Sequence, residues 1–371
     1  MPRTYRVAII GLGGFSRVHA QAAADVPGTR IVAACDVDPA KHDAWARRLA
    51  DTVALDDVRF YDDAAKMLAD ARPDVVSITT KHDQHAPLTI LCAQAGVKGV
   101  VCEKPIAMDL READAMLDAC RTSGTKLAIG HQRRFDNEWQ AGLRLLRQGR
   151  IGEVMLAVSR WPDNRPEKYR YDLFGGGPLM WLSIHSIDLL RYFLGEVAWV
   201  TGQVDMGLAD VDTETRALAL LGFGGGARAI VECGTGIGPE ASLGHSIVFY
   251  GRKGTLHVCD GYGVRCKTRA RPRWREIDPA GRSIDWGAIA RRSCGRQLRD
   301  LIGCIETGRE PRCSGEQGRA DLEVVMAIYK SERTGGPVEL PLADKASPLA
   351  DMNRKGGFGE VTWRPEAIAD C

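Results

Sequence analysis

Apolar and polar positions follow two different rhythms along the chain. Over residues 1–130, short runs that are apolar nearly throughout alternate with longer segments of helical character. The runs are Val7–Ile10, Ile31–Ala34, Val75–Ile78, Gly99–Cys102 and Lys126–Ile129; the segments between them include His19–Ala24, Ala40–Leu49, His85–Ala95 and Leu110–Cys120. Strands that are apolar along their whole length are buried on both faces, the mark of a parallel sheet with helices above and below. The alternation predicts a doubly wound α/β domain.

After about residue 150 strand-like runs follow one another with few helices between them: Val154–Trp161, Trp199–Met206, Glu214–Phe223, Ala227–Cys233, Ser246–Tyr250, Thr255–Cys259 and Val264–Thr268. Gly-rich turns such as Gly224-Gly225-Gly226 separate several of them, which predicts an antiparallel sheet. Helices are expected over Pro178–Leu194, Trp286–Thr307 and Gly318–Thr334. The chain is divided accordingly into 1–130, 131–345 and a tail, 346–371, that carries little pattern.

Composition narrows the function classes. In 371 residues, 44% are hydrophobic and 26% charged, as in an ordinary globular protein. A net charge of +2 gives no basic excess for a nucleic-acid partner. No apolar run is long enough to span a bilayer, and the start of the chain shows no signal-peptide or twin-arginine pattern, so a cytoplasmic protein is expected. The 11 cysteines form no Cys-x-x-Cys pair and suggest neither a zinc site nor a disulfide framework, and no metal ligands are expected.

The sharpest motif is Gly11-Leu12-Gly13-Gly14-Phe15-Ser16, which follows the first strand and opens a helix. Gly11 permits the tight turn, Gly13 lets the backbone approach a diphosphate, and a small residue at Ser16 allows close helix–strand packing. Helix N–H groups then face the phosphates. Asp36 closes the second strand, where an acid grips the adenosine ribose. No arginine adjoins it, which favours NAD over NADP. Thr79, Thr80 and His85 follow the Val75–Ile78 strand; Gln132 follows the last parallel strand and points toward the nicotinamide.

Two further clusters carry candidate chemistry. Lys104, in Glu103-Lys104-Pro105, stands at a strand's carboxyl end, where ligands of open α/β sheets sit, and can stabilise charge on a substrate oxygen. Trp181, His185 and Asp188 recur at helical spacing after Gly175-Gly176-Gly177. His185 can relay a proton and Asp188 can orient its ring. Taken alone, Glu103-Lys104 reads as well as a surface pair, and His185 as a packed core histidine. Trp161, Tyr169 and Tyr171 offer rings that stack on sugar faces. Arg133 and Arg134 read either as an anion site or as structural groups.

Together with His19, Arg134-Phe135, Ile151-Gly152-Glu153-Val154 and Gly318 to Glu323, these motifs resemble the glucose-fructose oxidoreductase / inositol dehydrogenase / rhizopine-catabolism (Gfo/Idh/MocA) oxidoreductases over residues 5–342. The resemblance implies a Rossmann domain, then an α/β domain with a large, mostly antiparallel sheet, and homodimers or homotetramers through that sheet. It implies hydride transfer between a nicotinamide and a carbinol carbon of a sugar, cyclitol or polyol, with Lys104 and His185 as the catalytic pair. The dinucleotide contacts carried over are Gly11 to Ser16, Asp36, Thr79, Thr80, His85, Glu103, Lys104 and Gln132. Trp161, Trp181 and Asp188 are assigned to the substrate pocket.

In dehydrogenases of this family an aspartate usually stands four residues before the histidine; here that residue is Trp181. Either His185 works with Lys104 alone, or Asp188 or Asp172 substitutes, or the chemistry differs. The alternatives are a glycoside-cleaving enzyme that oxidises its substrate transiently and a dinucleotide-binding regulator without turnover.

Overall fold

The computed structural model describes residues 3–163, 176–205, 213–235, 245–277, 285–349 and 352. The first unit comprises β1 (Tyr5–Ile10), α1 (Ser16–Asp25), β2 (Thr29–Cys35), α2 (Ala40–Leu49), β3 (Arg59–Tyr61), α3 (Ala64–Ala71), β4 (Val75–Ile78), α4 (His85–Gln94), β5 (Gly99–Cys102), α5 (Leu110–Ser123) and β6 (Lys126–Ile129). Its six strands form a parallel sheet in the order β3-β2-β1-β4-β5-β6. Every residue of β4 and β5 is buried, as expected of strands covered on both faces. The strand order reverses between β1 and β4, which opens a crevice at their carboxyl ends. The sequence reading omits β3 and α3, which are too short to show a period.

The second unit begins with α6 (Asn137–Arg147) and β7 (Val154–Asp163). After a π-helical turn over Leu179–Ser183 come α7 (Ile184–Leu194), β8 (Val197–Asp205), β9 (Arg216–Phe223), β10 (Arg228–Thr235), β11 (Ser246–Gly251), β12 (Gly254–Cys259), β13 (Gly263–Thr268) and β14 (Arg271–Ile277). Two helices, α8 (Trp286–Thr307) and α9 (Gly315–Thr334), and β15 (Val338–Glu339) follow. The nine strands run β14-β13-β12-β11-β7-β10-β9-β8-β15, antiparallel except for the β7–β10 pair. In β9, Ala217, Ala219 and Leu221 are buried while Arg216 and Leu218 face outward. That alternation is expected of a sheet with one covered face.

Two boundaries differ from expectation for one reason. Helix Pro178–Leu194 starts as a π turn, and the strand expected from Glu214 starts at Arg216. The buried Glu214 carboxylate turns inward instead, accepting hydrogen bonds from the amides of Gly177 (2.9 Å) and Leu179 (3.2 Å) and from the hydroxyls of Thr213 (2.7 Å) and Tyr329 (2.8 Å). It thereby fixes the start of the segment that carries Trp181 and His185.

Helix α8 lies far along the chain yet packs on the first sheet. Leu298 and Leu301 share a buried cluster with Val7, Ile9 and Val101, and Arg291 pairs with Asp25 at 2.5 Å. The expected stacking residues Tyr169 and Tyr171, the acid Asp172, Gly175 and most of the 346–371 tail lie outside the described residues.

Candidate active site

A cleft of about 1220 Å³ opens at the carboxyl ends of β1, β2, β4 and β5 and continues to the π turn, α7 and the start of α8. Gly11, at φ +86°, turns the chain out of β1; a Cβ there would lie 2.9 Å from the Thr79 carbonyl oxygen, too close for any side chain. Gly13 and Gly14 line the cleft, and a Cβ on either would project into open space. No side chain caps the N-terminus of α1. This is the room and the donor set that a diphosphate requires. Ser16 faces away, donating to the Gly13 carbonyl at 2.5 Å and accepting from Trp45 Nε1 at 2.9 Å.

Asp36 is nearly buried beside the glycine turn. Its Oδ2 accepts from the Leu12 amide at 2.8 Å and its Oδ1 from the Asp38 amide at 3.0 Å, while Lys41 Nζ reaches both oxygens at 3.0 and 3.2 Å. Burial pushes this carboxyl up, but the two amides and Lys41 outweigh that and hold it below its ordinary range. Thr79 and Thr80 line the middle of the cleft, and Thr79 Oγ1 donates to the Gly11 carbonyl at 2.6 Å.

Glu103 and Lys104 follow β5 into the cleft. Glu103 Oε1 bonds His19 Nε2 at 2.9 Å; burial pushes the carboxyl up, while His19 and Lys104 hold it below its usual value. The Lys104–Pro105 peptide is cis. Lys104 Nζ donates to the main-chain carbonyl of Trp181 at 2.7 Å and lies 4.8 Å from the centre of the Trp181 ring. A backbone carbonyl thus meets the ammonium, with the Trp181 indole at the position where the family resemblance implied an aspartate.

His185 lines the same cleft with Trp181 and Gln132. Its ring stacks on Trp161 at 6.1 Å and meets the edge of His131 at 5.6 Å. Burial, followed by the charges of Arg133 and Lys104, holds its pKa well below the ordinary 6.5. Gln132 Oε1 is buried without a partner among the described residues, so an acceptor is left for a ligand N–H.

Several expected site residues stand elsewhere. Asp188 does not orient His185. It is fully buried and paired with Arg134 at 2.7 Å, with His131 Nδ1 3.9 Å away. Asp321, 3.3 Å from His131 on the other side, is in turn paired with Arg191 at 2.5 Å. His131, Asp188 and Asp321 lie close enough together to hold a cation, but both aspartates already carry guanidinium partners. Trp161 does not reach the cleft: the alternation of β7 turns it inward with Ala157 and Ser159, and it is fully buried. His85 is also fully buried, its Nδ1 bonded to the Pro105 carbonyl at 2.8 Å, and neither it nor Leu12 lines the cleft.

Other lining residues escaped the sequence reading. Lys41, His245 and Trp286 line the cleft. Arg133 lines it too, but is ion-paired with Asp260, donates to His245 Nδ1 at 3.0 Å and lies 4.6 Å above Trp161. Its charge is met within the protein by Asp260, which supports the structural reading of Arg133. Arg134 is likewise committed, to Asp188.

Comparison with known proteins gives a consistent picture. Residues 5–131 match a model described as an oxidoreductase family with an NAD-binding Rossmann fold, and residues 139–257 match the GFO/IDH/MocA C-terminal domain. The chain is similar to D-apiose dehydrogenase of Paraburkholderia graminis, at 31% identity over 371 residues, covering 95% of this chain and 94% of that one. Inositol 2-dehydrogenase of Rhizobium meliloti is 28% identical over 88% of this chain and 97% of its own length. A solved oxidoreductase from Agrobacterium radiobacter, in complex with NAD+, L-tartaric acid and magnesium, superposes with a TM-score of 0.80 at 26% identity, over 90% of this chain and 98% of that one.

Proposed function

Since the chain belongs to the GFO/IDH/MocA family of NAD-binding oxidoreductases, we propose that it oxidises a secondary hydroxyl of a sugar, cyclitol or related polyol, with Lys104 and His185 as the catalytic pair. The observation that carries this reading is the presence of both side chains in one cleft whose other end is the Gly11–Gly14 turn.

NAD, when bound, supplies the acceptor for the hydride that leaves the carbinol carbon. The Gly13 and Gly14 backbone would make room for its diphosphate, Asp36 would hold the ribose hydroxyls, and Gln132 Oε1 would accept from the carboxamide. His185 stays neutral because of its burial and its cationic neighbours, and it takes the hydroxyl proton as the C–H bond breaks. Lys104 has three donors; one is held by the Trp181 carbonyl, and another meets the substrate oxygen as negative charge grows there. The Trp181 ring and Trp286 wall the substrate end, where apolar sugar faces stack. The names of the relatives, a D-apiose dehydrogenase and an inositol 2-dehydrogenase, support a substrate among pentoses, cyclitols and similar polyols.

We further propose that the outward face of the nine-stranded sheet joins copies of the chain into dimers or tetramers. Leu218 and Tyr250 are exposed on that face of β9 and β11. No disulfide joins the described cysteines, which supports a reducing, cytoplasmic setting. Among the described residues no helix is long and apolar enough to cross a membrane. The function is tested by screening pentoses, inositols and glycosides for NADH formation. No reduction of NAD+ with any of them, by protein that binds the cofactor, would overturn it.

A further inference from the structure

We propose that Lys41 makes the adenosine end of this cleft accept a 2′-phosphorylated dinucleotide as well as NAD, so that Lys41 is a specificity-determining residue. The inference rests on the reading of the cleft as a dinucleotide site and adds a second ligand class to it.

Asp36 already has a full set of hydrogen-bond partners. A carboxylate offers about four acceptor positions, two on each oxygen. Oδ2 is taken by the Leu12 amide and by Lys41, and Oδ1 by the Asp38 amide and by Lys41. The two amides are backbone groups and cannot withdraw without moving the glycine turn. Lys41 sits at the start of α2 on a flexible stem and its side chain is 46% exposed, against 6% for Asp36. A ribose that hydrogen-bonds Asp36 must therefore displace Lys41, and the displaced ammonium remains beside the ribose edge.

That edge is open. Val37 is 85% exposed, and both Val37 and Lys41 line the cleft. An unaccompanied aspartate rejects a 2′-phosphate by like-charge repulsion, which is the usual basis of NAD selectivity. Here the same carboxylate carries its own counter-ion. A 2′-phosphate can take the ammonium over from Asp36, forming a charge-assisted hydrogen bond while the two backbone amides go on holding the carboxylate. Asp38, exposed nearby, opposes the phosphate but projects its Oδ1 onto the Ala40 amide at 3.1 Å.

Binding of NAD+ and NADP+ to the purified chain, measured by isothermal titration for wild type, Lys41→Ala and Lys41→Glu, tests the idea. We expect wild type to bind both nucleotides. Lys41→Ala should weaken NADP+ on the order of tenfold and change NAD+ by less than about threefold, with Lys41→Glu weakening NADP+ further. The proposal is overturned if wild type binds NAD+ but not NADP+ at millimolar concentration, or if Lys41→Ala leaves the ratio of the two dissociation constants unchanged. If wild type binds neither nucleotide, the dinucleotide reading fails instead.

Discussion

Lys104 Nζ donates to the carbonyl of Trp181 across the cleft, 2.7 Å away, so the two halves of the site are tied by a hydrogen bond to the main chain. A backbone acceptor survives any substitution of the Trp181 side chain. Trp181→Ala should therefore leave kcat within about threefold while raising KM through the lost ring contact. Lys104→Ala should lower kcat by on the order of 10³ with little change in NAD affinity. Steady-state kinetics and cofactor titration separate the two; a near-normal kcat in Lys104→Ala would remove that residue from the chemistry.

His185 governs the expected pH dependence of turnover. Its pKa is held well below 6.5, first by burial and then by Arg133 and Lys104, so the basic form persists on the acid side of neutrality. The acid limb of a kcat/KM profile should lie clearly below pH 6.5. A limb at 6.5 or above would mean that another group takes the proton.

Stability has its own pH signature through His131. Burial lowers this imidazole to about 4, although Asp321 pulls it back upward. The unfolded ring protonates near 6.5, so between pH 6.5 and 4 the unfolded chain binds the extra proton and stability falls as pH falls. The contribution is on the order of 3 kcal/mol at its largest. Urea unfolding across that window should show a shallower acid decline in His131→Gln than in wild type.

Glu214 should matter more than its distance from the chemistry suggests. Glu214→Ala strands the Gly177 and Leu179 amides and the Tyr329 hydroxyl in the interior, at a cost of about 2–4 kcal/mol. A lower Tm accompanied by a larger loss of kcat than of NAD binding is the expected result, since the turn it holds carries Trp181 and leads into His185.

The outward sheet face is open to a direct test. Leu218 is 56% exposed in the middle of β9. Leu218→Glu places a charge where two sheets would meet and should shift the protein to monomers in sedimentation velocity, with the monomer fold intact by circular dichroism.

What the sequence revealed and what it hid divide along a physical line. Gly11, Asp36 and Lys104 were legible because their placement depends on a local rule: they sit just beyond the ends of parallel strands, and such ends converge on one crevice. Trp161 and Asp188 were misplaced because spacing gives a face of an element but not what covers that face. The β7 alternation sends Trp161 inward, and Arg134, far away in sequence, claims Asp188. His245 and Trp286 come from segments with no local mark of function, brought to the cleft only by tertiary packing. The parallel β7–β10 pairing inside an antiparallel run was beyond any turn-based reading. Lys41 needed the coordinates, because its role lies in an ion pair rather than a motif.

The return of α8 to the first sheet bears on how this molecule is assembled. Val7 and Ile9, near the start of the chain, wait for Leu298 and Leu301 to cover them. A ribosome must therefore deliver the chain through Leu301 before the core of the nucleotide-binding half is closed. A fragment cut at residue 130 should emerge sticky, and chaperone capture of nascent chains should end only once synthesis passes Thr307.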